Sequence, residues 1–339
     1  MKPVYSDIAT EYGALRGEVG VVDYAGAGLF RVAGPGAPAF LGTVSTRNVD
    51  FLLEGQISTA LALREDGTIV AEVLIHCRGT DYLVEVWPAQ RDAAAAHLTA
   101  AAAGQDNVTV EDLSESTRIF GLEGPASFRV AQKFLPFPIP SMAYRTFADA
   151  QWGDGVDLLV SRTGVSGEYG YKLHVPVAAA DAVRDEVLGA GAIEVGKDAL
   201  DICRMEMRFA NLESEGGDEP ITPFDLGLQW MVDFGQDFTG KQALLDRFAS
   251  GLERLPVCWV GDETLADVPT AGAAVTAGGA EIGQVVHAVR SLKLDRVIGT
   301  ARVNSAVAAS GMEFEIGASA ASTISAPYLV ASSFSIPLE

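Results

Sequence analysis

The stretch TPFDLGLQWMVDFGQDFTGKQALL, residues 222–245, decides how this chain folds. It opens on a turn, because Pro223 fixes its own backbone angle and Asp225 can accept hydrogen bonds from nearby amides. The LGLQWMV that follows reads as an amphipathic strand. Gly240-Lys241 then begins a helix. The stretch specifies a scaffold and no reaction. Elsewhere the chain has no metal-ligand spacing, no P-loop and no GxGxxG fingerprint.

Upstream lies a weak internal repeat. Leu29–Pro35 reads LFRVAGP and Ile119–Pro125 reads IFGLEGP. Each is a short apolar strand, then Gly-Pro, then a helical run, with the proline suited to the first helical turn. Two copies predict two related α+β lobes. Between them, strands are expected at Ile57–Leu63, Thr68–Cys77 and Asp81–Trp87, and a helix at Pro88–Ala103. Beyond the second copy, strands Val156–Ser161 and Tyr171–Val175 flank the turn Thr163–Gly167. Helices follow at Ala178–Gly189 and Gly196–Arg208, and residues 213–221 form an acidic loop. Downstream of Phe248–Arg254 the pattern changes to short β-rich runs from LPVCWV to STISAPYLV, as in a small antiparallel barrel. The expected division is 1–248 for two interleaved α+β lobes and 249–339 for the barrel.

The 339 residues carry 24 basic and 45 acidic groups, a net charge of −21. Such a chain is a poor partner for nucleic acid or an anionic membrane. An anionic small molecule would need basic groups in the pocket itself. No apolar run reaches membrane-span length and the opening segment lacks an apolar leader core, so a soluble cytoplasmic protein is expected. Cys77, Cys203 and Cys258 are far apart and in apolar segments, as buried free thiols are. No two of the four histidines have metal-ligand spacing, so no metal site is expected.

Six segments together resemble the T-protein of the glycine cleavage system and its relatives. They are GVVDYAGAGLFRVAGPGAPAFL (20–41), REDGTIVAEVLI (64–75), SRTGVSGEYGYKL (161–173), DICRMEMRF (201–209), PFDLGLQWMV with DFTGKQAL (223–244), and GQVVHAVRSLKLDRVIGTARV (283–303). Any one is weak, but six in order are specific for fold. The resemblance implies an α+β, three-domain arrangement, two interleaved lobes and a β-barrel around a central cavity. It also implies transfer of a one-carbon unit with tetrahydrofolate as cofactor.

Position by position, the resemblance breaks. Glu72 falls where the family has an acidic residue beside the reactive folate nitrogens, but Ala71-Glu72 replaces the usual pair of aspartates. A carboxyl flanked by Val70, Val73 and Leu74 is partly desolvated and suits proton transfer. His76, four residues on, shares its strand face, and the two could reach one cavity as catalytic groups. Lys172 stands where the family has the Glu that accepts from the pterin ring, and an ammonium only donates. Val165 replaces a Tyr beside the folate, Glu85 an Asn, Arg145 a pocket Tyr, and Leu200 an Arg that meets the substrate carboxylate. With Trp230, as cavity wall or core, these are the expected cofactor-side residues: Glu85, Arg145, Val165, Lys172 and Trp230. Tyr24 and Arg204 are expected on the substrate side, Arg204 pairing outside its own helix.

Three functions follow from this pattern. One is tetrahydrofolate-dependent O- or N-demethylation of a small molecule. An aromatic methyl ether is preferred, because LPVCWVGDETLADV (255–268) is similar to the aromatic O-demethylase branch. Another is a folate-independent enzyme on the same scaffold. The last is a non-catalytic member such as those serving iron–sulfur maturation, whose Lys-Gly-Cys motif is absent here.

Overall fold

The computed structural model describes residues 1–217 and 220–338. The chain opens with α1 (Ile8–Gly17) and β1 (Gly20–Asp23); the first lobe then holds β2 (Gly28–Ala33), α2 (Ala37–Val44), β3 (Ile57–Leu63), β4 (Ile69–Cys77), β5 (Asp81–Val86), α3 (Arg91–Ala102) and β6 (Thr109–Asp112). The second holds β7 (Thr117–Glu123), α4 (Ser127–Ala131), β8 (Phe147–Trp152), β9 (Val156–Ser161), β10 (Gly170–Pro176), α5 (Ala180–Gly189) and β11 (Ile193–Val195). The sheets run β3-β4-β5-β2-β6 and β8-β9-β10-β7-β1-β11. The repeat is therefore one topology used twice. β1, from the start of the chain, is inserted into the second sheet, so the lobes interleave.

The Gly-Pro turns work alike in both copies. Gly34 and Gly124 have positive φ, and a Cβ on either would sit 2.4–2.5 Å from a backbone carbonyl oxygen. Only glycine allows the two chains to approach so closely. The prolines lie just ahead of the helices, not in their first turn as expected.

Each sheet packs helices on its outer face. Phe40, Leu41, Ala94 and Leu98 from α2 and α3 cover the first, and Phe128, Val183 and Val187 from α4 and α5 cover the second. The inner faces meet through Leu29, Ile57, Leu74, Leu83, Phe147 and Leu159. Strand alternation dictates this: Ala71, Val73, Ile75 and Cys77 of β4 point outward, which sends Glu72, Leu74 and His76 inward.

After the lobes come α6 (Lys197–Met207), α7 (Leu212–Glu215), α8 (Pro223–Leu226) and α9 (Lys241–Ala249). The expected acidic loop begins with the helical turn α7, capped by the Asn211 side chain. Asp218 and Glu219 of that loop lie outside the described residues. In the 222–245 stretch, Thr222 and Asp225 form a capping box, with the Asp225 carboxylate 2.8 Å from Thr222 N and 2.7 Å from Thr222 Oγ1. The expected amphipathic strand is absent. Gln229–Met231 forms a 3-10 turn instead, and the Met231 carbonyl accepts from Thr46 Oγ1 at 2.8 Å. The apolar alternation there serves packing against β3, not a sheet ladder. The helix at Gly240-Lys241 forms as α9.

β12 (Arg254–Gly261), β13 (Ala274–Ala277), β14 (Ala280–Ser291), β15 (Arg296–Asn304), β16 (Glu313–Ile316) and β17 (Ser319–Ile324) close an antiparallel barrel in the order β12-β15-β14-β13-β16-β17. Its core is built around the fully buried Trp259. The run STISAPYLV is strand only to Ile324; the rest leaves the barrel and returns to the second lobe. There the Glu168 carboxylate accepts from Ser332 N at 3.0 Å, Ser333 N at 2.8 Å and Ser333 Oγ at 2.6 Å. α6 joins barrel to lobes. Glu206 accepts from Tyr12 Oη at 2.8 Å, Arg16 Nε at 3.0 Å and Ser291 Oγ at 2.5 Å. No helix among the described residues is long and apolar enough to cross a membrane.

Candidate functional site

A cavity opens where the inner faces of the two sheets diverge, at the junction of β4, β10, α6 and the 222–245 stretch. Thr59, Glu72, Leu74, Trp87, Tyr144, Arg145, the 163–165 turn, Lys172, Arg204, the 208–210 segment, Leu228, Trp230 and Met231 line it, around about 70 Å³ of space. Glu72, Arg145, Val165, Lys172, Arg204 and Trp230 thus come together from distant parts of the chain.

Glu72 faces this cavity. Its carboxylate accepts from Trp87 Nε1 at 3.0 Å, and its own N–H donates to Gln90 Oε1 at 2.9 Å. Burial raises the carboxyl above its ordinary value, while Arg204, the Trp87 hydrogen bond and Lys172 pull the other way. Trp87 is itself held: Arg204 stacks over its ring at 4.1 Å and Tyr24 meets its edge at 5.4 Å. Arg204 turns away from Glu206 and donates to the carbonyls of Phe209 (3.5 Å) and Ala210. Tyr24 lies behind the wall, buried, its hydroxyl without a partner among the described residues.

Lys172 forms the inner end. Its ammonium donates to Glu85 Oε1 and sits 5.0 Å from the Tyr24 ring centroid. The other oxygen, Glu85 Oε2, is 2.8 Å from His174 Nε2. The repeat explains this meeting: Glu85 pairs with Leu29 in the first sheet, and His174 with Ile119 in the second. They are equivalent positions of the two lobes, facing each other. Burial pushes the Glu85 carboxyl up, but Lys172 and His174 more than reverse this and hold it well below the carboxylate range.

His76 corrects an expectation. It shares the inward face with Glu72 but lies deeper between the sheets, fully buried and 3.9 Å from Glu85 Oε2, and it does not line the cavity. Burial lowers it to about 3, so it is neutral. Leu200 is buried in the core around α6. Trp230 is not core: 55% exposed, it stands with Tyr144, 57% exposed, at the mouth.

Sequence reasoning missed the side chains of Glu123 and Arg208. Glu123 is fully buried and shapes the 163–167 turn, accepting from Val165 N at 3.0 Å and Ser166 Oγ at 2.6 Å. It stood in the IFGLEGP repeat, where a charge in an apolar strand is the signal. Gly164 has no room for a Cβ, which would lie 2.8 Å from Glu123 Oε2 and from Gly170 Cα. Arg208 ends α6 in the left-handed region at φ 61 and bonds Glu215 at 2.9 Å; Arg145, at φ 60, is the other strained residue on the cavity wall. Such strain in non-glycine residues gathers at working sites.

Chemically, this is a half-open pocket with flat aromatic walls and one carboxyl of raised proton affinity. Among the described residues, the Arg145 and Arg204 guanidinium groups have no carboxylate within ion-pair distance.

Residues 2–236 match the family model described as the GCVT N-terminal domain. The chain is 34% identical over 320 residues to the aminomethyltransferase of Geobacillus kaustophilus (strain HTA426), covering 92% of this chain and 86% of that one. It is 27% identical over 307 residues to the aminomethyltransferase of Thermotoga sp. (strain RQ2), covering 89% and 83%. The crystal structure of glycine cleavage system aminomethyltransferase T from Bartonella henselae superposes with a TM-score of 0.85 at 23% identity, over 97% of this chain and 91% of that one, which shows the shared fold. The chain belongs to the GCVT family, as a homologue of the aminomethyltransferases.

Proposed function

We propose that the protein is a one-carbon-group transferase that works on a small molecule in the inter-lobe cavity, with Glu72 as its acid–base group, and that it does so without seating tetrahydrofolate in the family's pose. The observation that carries this reading is Glu72: a cavity-facing carboxyl of raised proton affinity, oriented by Trp87. Neutral, it gives a proton to the leaving nitrogen or oxygen as the C–N or C–O bond breaks and the carbon bonds to a thiol or amine co-substrate; ionised, it takes the proton that this nucleophile sheds. The aminomethyltransferase relatives support an amine-borne carbon as the group moved. The flat walls of Trp87, Tyr144 and Trp230 suit an aromatic methyl ether.

Tetrahydrofolate fits these residues poorly. The pterin ring edge presents N–H donors, and position 172 offers only another donor, already bound to Glu85. Glu123 is committed to the 163–167 turn.

The test is turnover on a panel of methylated amines and aromatic methyl ethers, each supplied with a thiol or amine acceptor and followed by NMR, for wild type and Glu72→Gln. Demethylated product from wild type, reduced by about 10²–10⁴-fold in Glu72→Gln, is the expected result. Equal turnover by both would remove Glu72 from the chemistry.

A further inference from the structure

Between the lobes, behind the cavity, lies a group of ligand-type side chains that the transfer reading does not use. His76 on β4, Glu85 on β5 and His174 on β10 each direct one donor atom to a common region, and the three atoms lie within 4.8 Å of one another. Glu85 Oε2 is 2.8 Å from His174 Nε2 and 3.9 Å from His76 Nε2. A tetrahedral ion about 2.0–2.1 Å from each ligand spaces those ligands roughly 3.3 Å apart. The two imidazoles lie just inside and just outside that spacing from Glu85 Oε2, so shifts of under about an ångström bring both His–Glu85 separations to it.

His76 supplies the independent observation. It is 0% exposed, and neither ring nitrogen reaches full hydrogen-bond geometry with a described residue, the weak attraction of the Leu83 backbone notwithstanding. Buried polar atoms are nearly always paired, so an orphaned imidazole aimed at a carboxylate and a second imidazole calls for an explanation. Ordinary core packing does not give one: an apolar residue would fill the same space without an unpaired nitrogen.

The surroundings suit a cation. Glu85 binds Lys172 through its other oxygen, as metal-bound carboxylates are commonly held by an outer donor. Glu72 and Glu123 both act on Lys172 electrostatically.

We propose that His76, Glu85 and His174 form a binding site for a divalent transition-metal ion that clamps the two lobes together behind the cavity. Two imidazoles with one carboxylate suit zinc, iron, cobalt or nickel, and not magnesium or calcium, which take oxygen ligands. The histidines are 98 positions apart, so no spacing motif reveals them. The site spans the lobes because Glu85 and His174 occupy equivalent strands of the repeat. It stands apart from the transfer reading, since it can be filled or absent whether or not Glu72 moves a proton.

The test uses the full chain loaded with one equivalent of ZnCl₂, desalted through a weak chelator and analysed by plasma mass spectrometry. About one zinc per chain is expected in wild type, falling at least about ten-fold in His76→Asn and His174→Asn. Cobalt(II) in place of zinc gives visible ligand-field bands in wild type that both variants lose. Among the described residues the His76 ring anchors no neighbour through a well-formed hydrogen bond, so His76→Asn and the wild-type cobalt spectrum carry the test if His174→Asn does not fold by circular dichroism. Retention of less than about half an equivalent by wild type overturns the site. So does a fall smaller than ten-fold in folded His76→Asn, which would place the metal elsewhere, for example on the Asp201–His287 pair.

Discussion

Replacing Lys172 by Met should destabilise the lobes more than any conservative change on their surface. The side chain is 4% exposed and its ammonium is the cationic partner of Glu85, 5% exposed. Methionine fills similar volume, so packing changes little and the charge is what is lost. Glu85 then remains between the sheets with His174 alone. Removing one partner of a buried pair costs about 3–5 kcal/mol. At about 2–4 °C per kcal/mol for a folding unit of 150–250 residues, the melting temperature should fall by roughly 6–20 °C. Replacing both members, in Glu85→Gln/Lys172→Met, removes the stranded charge and should recover most of that loss. Differential scanning calorimetry at neutral pH measures all three proteins. A single variant melting within about 2 °C of wild type, or a double variant no better than the single, would refute the reasoning.

Four further outcomes are expected. Glu72→Gln should change how stability depends on pH: a carboxyl raised in the folded state binds its proton more tightly there, so its contribution is present below about pH 4.3 and is lost as pH rises through the raised value. Denaturation at several pH values should show the variant without that loss, and a parallel profile would contradict the assignment. Gly164→Ala should destabilise by about 1–3 kcal/mol, because its Cβ meets Gly170 Cα and the Glu123 carboxylate at 2.8 Å; a urea midpoint equal to wild type would deny the close approach. Glu168→Ala should release the returning C-terminal segment, at a cost of about 1.5–3 kcal/mol, seen as faster carboxypeptidase trimming; unchanged trimming would mean that Ser332 and Ser333 hold without it. Trp230→Ala should leave stability within about 0.5 kcal/mol while weakening retention of an aromatic ligand, so an unchanged affinity would exclude the mouth as a contact.

The local signals in the chain gave a sound outline of the scaffold. The two Gly-Pro units announced the repeated lobe, and the change of pattern after Phe248 announced the barrel. What went astray depended on depth, which periodicity does not encode. Alternation put Glu72 and His76 on one face correctly. Four residues along a strand span about 13 Å, enough to carry His76 from the cavity wall into the layer between the sheets. The apolar rhythm around Trp230 was real, but it served a 3-10 turn packed on β3, with the indole left at the mouth. The partners of Glu123 and Glu168 were invisible because they lie some 40 and 165 positions away. The pairing of Glu85 with His174 was legible only through the repeat, as two equivalent strands brought face to face.

The central claim is that the inter-lobe cavity is a working site whose pterin end is closed by Lys172 and Glu85. Calorimetric titration of tetrahydrofolate and 5-formyltetrahydrofolate into wild type and into a Glu85→Asn/Lys172→Glu variant tests it most directly. The account predicts no binding heat from wild type at millimolar folate and measurable binding by the variant, whose position 172 again accepts. Saturable binding of either folate by wild type would contradict it.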